Sequence, residues 1–215
     1  MHIFKYFSIL LSVILVASCT LTVEDDDPTA GPLSLTSVPS SAYIYGELEI
    51  RGSGFSGNCA ENQVFLTKDN QSTELTVDDC SSTNLVAFVP LDLEAGEYSL
   101  GLENGIDAIT ESNGQPILIN IRERPVILTI SSQEIPVGGT LTIEGINFLN
   151  KTGLSVYDPT VWITKSGYTN TVSDITVNAD GTQAEITVDD DIEAGDYQFK
   201  ITTDEWSNEF DLKIQ

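Results

Sequence analysis

No histidine follows residue 2 in this chain, and that removes more chemistry than any motif in it adds. A Ser-His-Asp or Cys-His relay needs an imidazole beside its nucleophile. A metal site built on two cysteines lacks its histidine partner for the same reason. Carboxylates are abundant, 33 Asp and Glu against 9 Lys and Arg, so counting alone does not remove a glycosidase-type pair. The acids fall mainly at turns and outward strand positions, however, where no deep cleft forms. The chain is read as a non-enzyme, with no catalytic residues, no metal ligands and no cofactor.

Three local patterns deserve weighing against that background. Gly52-Ser53-Gly54-Phe55-Ser56-Gly57 has the spacing of a dinucleotide-binding turn, which needs a helix next so that its first amides meet the pyrophosphate. Asn58-Cys59-Ala60-Glu61 follows without a helical apolar period, so the turn is read as structural. Asp78-Asp79 and Asp189-Asp190-Asp191 lack the spaced acids of a calcium loop and are read as solvated turns. The aromatics remain as binding candidates. If Val161 and Ile163 face a core, Trp162 between them faces water, offering a flat apolar surface to a sugar ring or a partner side chain. Tyr168 and Tyr157 are its candidate neighbours. A buried Trp at the centre of a β-sandwich is the competing reading of Trp162, and both stand. Trp206 is a further candidate neighbour, but it shares parity with Phe210, Leu212 and Ile214, which predicts a core position.

The elements that carry these residues repeat. Gly46-Glu47-Leu48-Glu49-Ile50-Arg51-Gly52 returns as Gly139-Thr140-Leu141-Thr142-Ile143-Glu144-Gly145. Gly52 to Phe55 matches Gly145 to Phe148, and Val64-Phe65-Leu66 matches Val161-Trp162-Ile163. Leu93-Glu94-Ala95-Gly96-Glu97-Tyr98 matches Ile192-Glu193-Ala194-Gly195-Asp196-Tyr197. Matches in one order at nearly constant spacing indicate a tandem duplication. Within each copy apolar and polar residues alternate, as in Leu48 and Ile50 among Glu47, Glu49 and Arg51. That period puts one face on a core and the other in water, the pattern of antiparallel sheets packed as a sandwich. Asn178-Ala179-Asp180-Gly181 between two such runs predicts a hairpin, because Asp-Gly accepts positive φ.

The Gly-x-x-Phe turns (Gly52 to Phe55, Gly145 to Phe148) and the Ala-Gly-x-Tyr segments (Ala95 to Tyr98, Ala194 to Tyr197) resemble the IPT/TIG family of early-set immunoglobulin-like domains. The resemblance implies an all-β fold of two tandem immunoglobulin-like sandwiches, over residues 32–121 and 126–215, joined by a linker at 122–125. It implies no shared catalytic residues; such domains serve as spacers or binding modules.

The first residues carry an address. Lys5 precedes an apolar run that ends in Val16-Ala17-Ser18-Cys19, too short to span a bilayer and with small residues before the cut. This resembles a bacterial lipobox. The resemblance implies a signal peptide at 1–18, lipidation of Cys19 and a membrane partner reached through that lipid. Residues 19–31 hold Glu24-Asp25-Asp26-Asp27 and then Pro and Gly, which reads as an acidic tether. An acidic run behind a lipidated cysteine is similar to the surface-export signal of Bacteroidetes lipoproteins, so the expected location is the outer membrane, facing outward. With Cys19 committed to lipid, Cys59 and Cys80 are an even pair in an oxidising compartment and are expected to bridge. The net charge of −24 excludes nucleic acid as a partner, since phosphate binding needs clustered Lys and Arg. What remains is a protein-interaction or spacer module of the envelope, or alternatively a surface glycan-binding lipoprotein.

Overall fold

A computed structural model describes residues 31–149, 159–172, 174–203 and 205–215. Its regular elements are strands throughout, apart from one 3-10 turn at Cys59–Glu61 among the described residues. Residues 34–122 hold β1 (Ser34–Ser37), β2 (Ser41–Tyr43), β3 (Glu47–Ser53), β4 (Gln63–Lys68) and β5 (Gln71–Cys80). They continue with β6 (Asn84–Phe88), β7 (Gly96–Glu103), the two-residue β8 (Ala108–Ile109) and β9 (Glu111–Ser112), and β10 (Gln115–Arg122). Residues 126–214 hold β11 (Val126–Ile130), β12 (Glu134–Ile135), β13 (Thr140–Ile146), β14 (Thr160–Lys165) and β15 (Tyr168–Val172). Then come β16 (Asp174–Val177), β17 (Gln183–Thr187), β18 (Gly195–Thr202) and β19 (Phe210–Ile214).

Strands pair within each half. In the second, β11-β13-β17-β16 form one sheet and β12-β19-β18-β14-β15 the other. In the first, the order β1-β3-β6-β5 continues through β5 into β5-β4-β7-β10-β2. The long β5 pairs with β4 over Gln71–Leu75 and with β6 from Thr76 onward, so one strand serves both layers. In each half the last strand also takes a parallel partner, β2 on β10 and β12 on β19. Buried side chains divide the same way, one cluster drawn from Ala42 to Ile121 and another from Ile127 to Ile214. This is an all-β, immunoglobulin-like sandwich architecture.

The alternation read from sequence is what builds these layers. In β3, Leu48 and Ile50 are fully buried while Glu47, Glu49 and Arg51 are exposed. The same holds for Leu141 and Ile143 in β13. The hairpin expected at Asn178–Gly181 joins β16 to β17, with Gly181 at φ 73°. Asn178 Oδ1 accepts from the amides of Thr182 and Gln183. The Asp180 carboxylate accepts from the Thr182 hydroxyl and amide, and these bonds hold its pKa below the usual carboxylate value.

Both repeated motifs prove to be packing devices. At Gly52 a Cβ would stand 2.1 Å from the Ser34 carbonyl oxygen and 2.8 Å from the Phe55 ring. At Gly145 the same distances are 1.9 Å, to Val126 O, and 2.6 Å, to the Phe148 ring. Only glycine lets the first strand of each half lie that close while a fully buried Phe folds beneath it. In the second motif the Tyr98 hydroxyl donates to the Glu94 carbonyl at 2.9 Å, and Tyr197 to Glu193 at 2.7 Å. Each is a tyrosine corner, fixing the entry to β7 or β18.

Cys59 and Cys80 are bridged, with Cα atoms 5.4 Å apart. The bond ties the 3-10 turn after the Gly-x-x-Phe segment to the end of β5. Between the halves, Arg122 at the end of β10 donates to the Tyr43 hydroxyl at 3.0 Å and pairs with Glu205. Arg124 donates to the carbonyls of Ile44 and Tyr45, and Asn147 donates to the Arg124 carbonyl. Burial lowers the Arg124 pKa from its ordinary value and raises that of Tyr43.

Candidate functional site

Trp162 stands on β14 between Val161 and Ile163, both fully buried, and so projects from the outer face of the five-stranded sheet. It is partly buried, because a second indole covers it. The Trp206 ring centroid lies 5.4 Å away in an edge-to-face arrangement at 65°. Trp206 itself is 45% exposed. This overturns its expected core position, and the reason is local. Phe199 pairs with Phe210, but Thr202 bridges Trp206, leaving one more residue on the returning strand than on β18. One extra residue reverses which face the side chain takes. Ser207, buried behind the bend, donates its amide to Ile201 O and accepts the Ile201 amide on Oγ, which holds the bend in place. Neither reading of Trp162 as wholly surface or wholly core describes it: the orientation is outward and the cover is Trp206.

Cross-strand register sets the neighbours in three rows. Thr171, Trp162 and Lys200 lie side by side on β15, β14 and β18. Thr169, Thr164, Gln198 and Asp211 form the next row, and Asp196, Lys213 and Glu134 the third. The Lys200 ammonium sits 4.5 Å over the Trp206 ring and 3.0 Å from Glu209. Gln198 donates to Asp211, and Lys213 pairs with Glu134 at 3.0 Å. Between the second and third rows lies an open depression of about 560 Å³, bordered by Thr164, Gln198, Asp196, Asp211, Lys213 and Glu134. The Trp162 Nε1–H is enclosed and has no hydrogen-bond partner among the described residues.

Of the other two candidate aromatics, the structure describes Tyr168, and it does not bring that residue to the row of Trp162. Tyr168 pairs with Lys165, on the parity of Val161 and Ile163, so it belongs to the opposite side of the strand. Its ring meets Tyr197 at 6.4 Å, and Lys165 lies between them, 5.5 Å and 5.0 Å from the two ring centroids. The Tyr197 hydroxyl and then Glu193 hold the Lys165 pKa above its ordinary value. Tyr157 lies outside the described residues, as does Cys19. Sequence reasoning considers Trp206 beside Trp162 and then places it in the core by parity; the Ser-Asn pair after it, Ser207-Asn208, is the signal of an irregular segment that would have broken the parity count.

The rest of the surface offers less. Phe65, the counterpart of Trp162, is flanked by Glu74 and Gly101, and no second ring covers it among the described residues. Among the described residues no three His, Cys, Asp or Glu side chains converge on a metal position. After Gly52–Gly57 comes only the three-residue turn Cys59–Glu61, too short to present a phosphate with a helix end.

This is a chain of immunoglobulin-like sandwich architecture with an aromatic and polar sheet face. No family profile matches it, and no curated protein does. Among solved structures it is similar to the SGBP-B protein of a Bacteroides ovatus mixed-linkage glucan utilization locus, in complex with a mixed-linkage heptasaccharide: 16% identity, TM-score 0.32, over 89% of this chain and 47% of that one. It is similar to SGBP-B from a Bacteroides uniformis xyloglucan utilization locus, at 20% identity and TM-score 0.32, over 83% and 48%. An I-band fragment of titin matches at 15% identity and TM-score 0.27, over 85% and 65%. The chain thus spans about half the length of the two Bacteroides structures.

Proposed function

We propose that this protein is a non-catalytic, lipid-anchored envelope protein that binds glycans on the outer face of its second five-stranded sheet. The observation that carries the reading is the outward pair Trp162 and Trp206, continuous with a row of hydroxyl, amide and carboxylate groups. A sugar ring has an apolar face and a polar edge. An exposed indole takes the first, and Thr164, Gln198 and Asp211 offer donors and acceptors to the second. The shallow, open depression suits a chain lying across the strands better than a small molecule enclosed in a pocket. Attachment through Cys19 at the outer membrane, facing outward, supplies the location such a binder needs; Cys19→Ala is expected to release the protein from the membrane fraction.

The test is affinity electrophoresis and calorimetry of the soluble chain against a panel of polysaccharides, xyloglucan and mixed-linkage glucan among them. Retardation by at least one, lost in Trp206→Ala, supports the reading. If no polysaccharide retards the protein, the face is the contact of a protein-interaction or spacer module instead.

A further inference from the structure

We infer that the chain bound on this face is an uncharged polysaccharide, and that uronate-bearing and sulfated chains are refused. The inference rests on the glycan-binding reading above and adds the chemical class of the ligand. Anionic polysaccharides are held by cations free to meet carboxylate or sulfate groups. The face has two lysines at its rows, and neither is free. Lys200 is committed to Glu209 at 3.0 Å and to the Trp206 ring, and Lys213 to Glu134 at 3.0 Å. Lys165, at the border of the depression, is committed to Glu193 at 3.1 Å.

The acids outnumber them. With Glu209 and Glu134 balanced by Lys200 and Lys213, Asp196 and Asp211 remain in the same rows without a cation; Asp211 accepts from Gln198, and Asp196 has no cation or donor partner among the described residues. Strands lie about 4.8 Å apart. Successive rows, two residues along a strand, lie about 7 Å apart, so acids in neighbouring rows fall within one Debye length, about 8 Å at physiological salt, and act together on an approaching ligand. Behind them stands the chain's net charge of −24, which repels a polyanion at longer range. The groups left for contact are those a neutral sugar uses: an indole face, the hydroxyls of Thr164, Thr169 and Thr171, the Gln198 amide and the carboxylates as acceptors of ligand hydroxyls.

The experiment measures the affinity of the soluble chain for neutral polysaccharides (xyloglucan, mixed-linkage glucan, a galactomannan) and for polygalacturonate and dextran sulfate, from roughly 50 mM to roughly 500 mM NaCl. The expected result is binding confined to neutral chains and changing less than twofold across the salt range. Binding of an acidic chain that weakens severalfold with salt would overturn the inference and leave the glycan-binding reading intact. Binding of no chain of either kind would remove the glycan-binding reading, and this inference with it.

Discussion

Trp206 reaches the outer face because of one extra residue between Trp206 and Phe210, and its consequences can be measured at single positions. Trp206→Ala removes an indole that is 45% exposed and leaves the core untouched, so the melting temperature should hardly move while glycan affinity falls at least about tenfold. Trp162→Ala should also lose binding, with destabilisation below the ~3–5 kcal/mol of a fully buried Trp. A larger loss in urea titration would mark Trp162 as core after all. The glycines of the repeated turn behave oppositely. Gly145→Ala drives a Cβ to 1.9 Å from the Val126 carbonyl and 2.6 Å from the Phe148 ring. It should destabilise by about 3 kcal/mol or more, the upper end for overpacking. A Gly145→Ala protein with unchanged urea midpoint would remove this account of the motif.

Among the elements, the two halves solve one problem differently. In the first, a single strand of ten residues, Gln71–Cys80, pairs with both layers, and the Cys59–Cys80 bond pins its end. In the second, β15 and β16 share that work and no disulfide closes them. Cross-linking across 21 residues stabilises by about 3 kcal/mol in the loop-entropy account. Reduction should therefore lower the unfolding temperature of residues 34–122 and leave that of 126–214 in place, as calorimetry with and without reductant would show. The β16–β17 hairpin carries a pH dependence through Asp180. Because its carboxylate is favoured in the folded chain, its contribution is present above the unfolded-chain pKa and fades as pH falls through the lower folded value. The stability difference between wild type and Asp180→Ala should accordingly be largest near neutral pH and shrink below pH ~4. A difference that grows on acidification would contradict the assignment.

The molecule as a whole is a chain with two cores, joined where Arg122 and Arg124 reach back to Tyr43, Ile44 and Tyr45. Because strands pair within each half, residues 126–215 are expected to fold when expressed alone, with cooperative unfolding by circular dichroism. A fragment without a cooperative transition would show that the halves depend on each other. Arg122 sets its guanidinium over Tyr43 and pairs with Glu205 of the other half. With Pro125 it is expected to limit relative movement, and small-angle scattering showing a broad distribution of distances between the halves would contradict this.

Much of this was written in the residue order. Period-two alternation fixes which side chains of β3, β13 and β18 turn inward, because a strand has only two faces. The duplication and the hairpin at Asn178–Gly181 follow from local chemistry or from counting, and the pairing of Cys59 with Cys80 follows once the lipobox resemblance assigns Cys19 to lipid. What sequence left open was decided by contacts between residues far apart. Gly52 and Gly145 announce a turn, but that they admit a neighbouring strand at van der Waals limits is visible only once Ser34 and Val126 are in place. Tyr168 and Trp162 look like neighbours in one strand pair, yet register sends them to opposite faces. Trp206 looks like a core residue by parity, and a one-residue slip between paired strands carries it to Trp162. Parity is a local property that any irregular segment resets, and only the pairing of distant strands records that it has been reset.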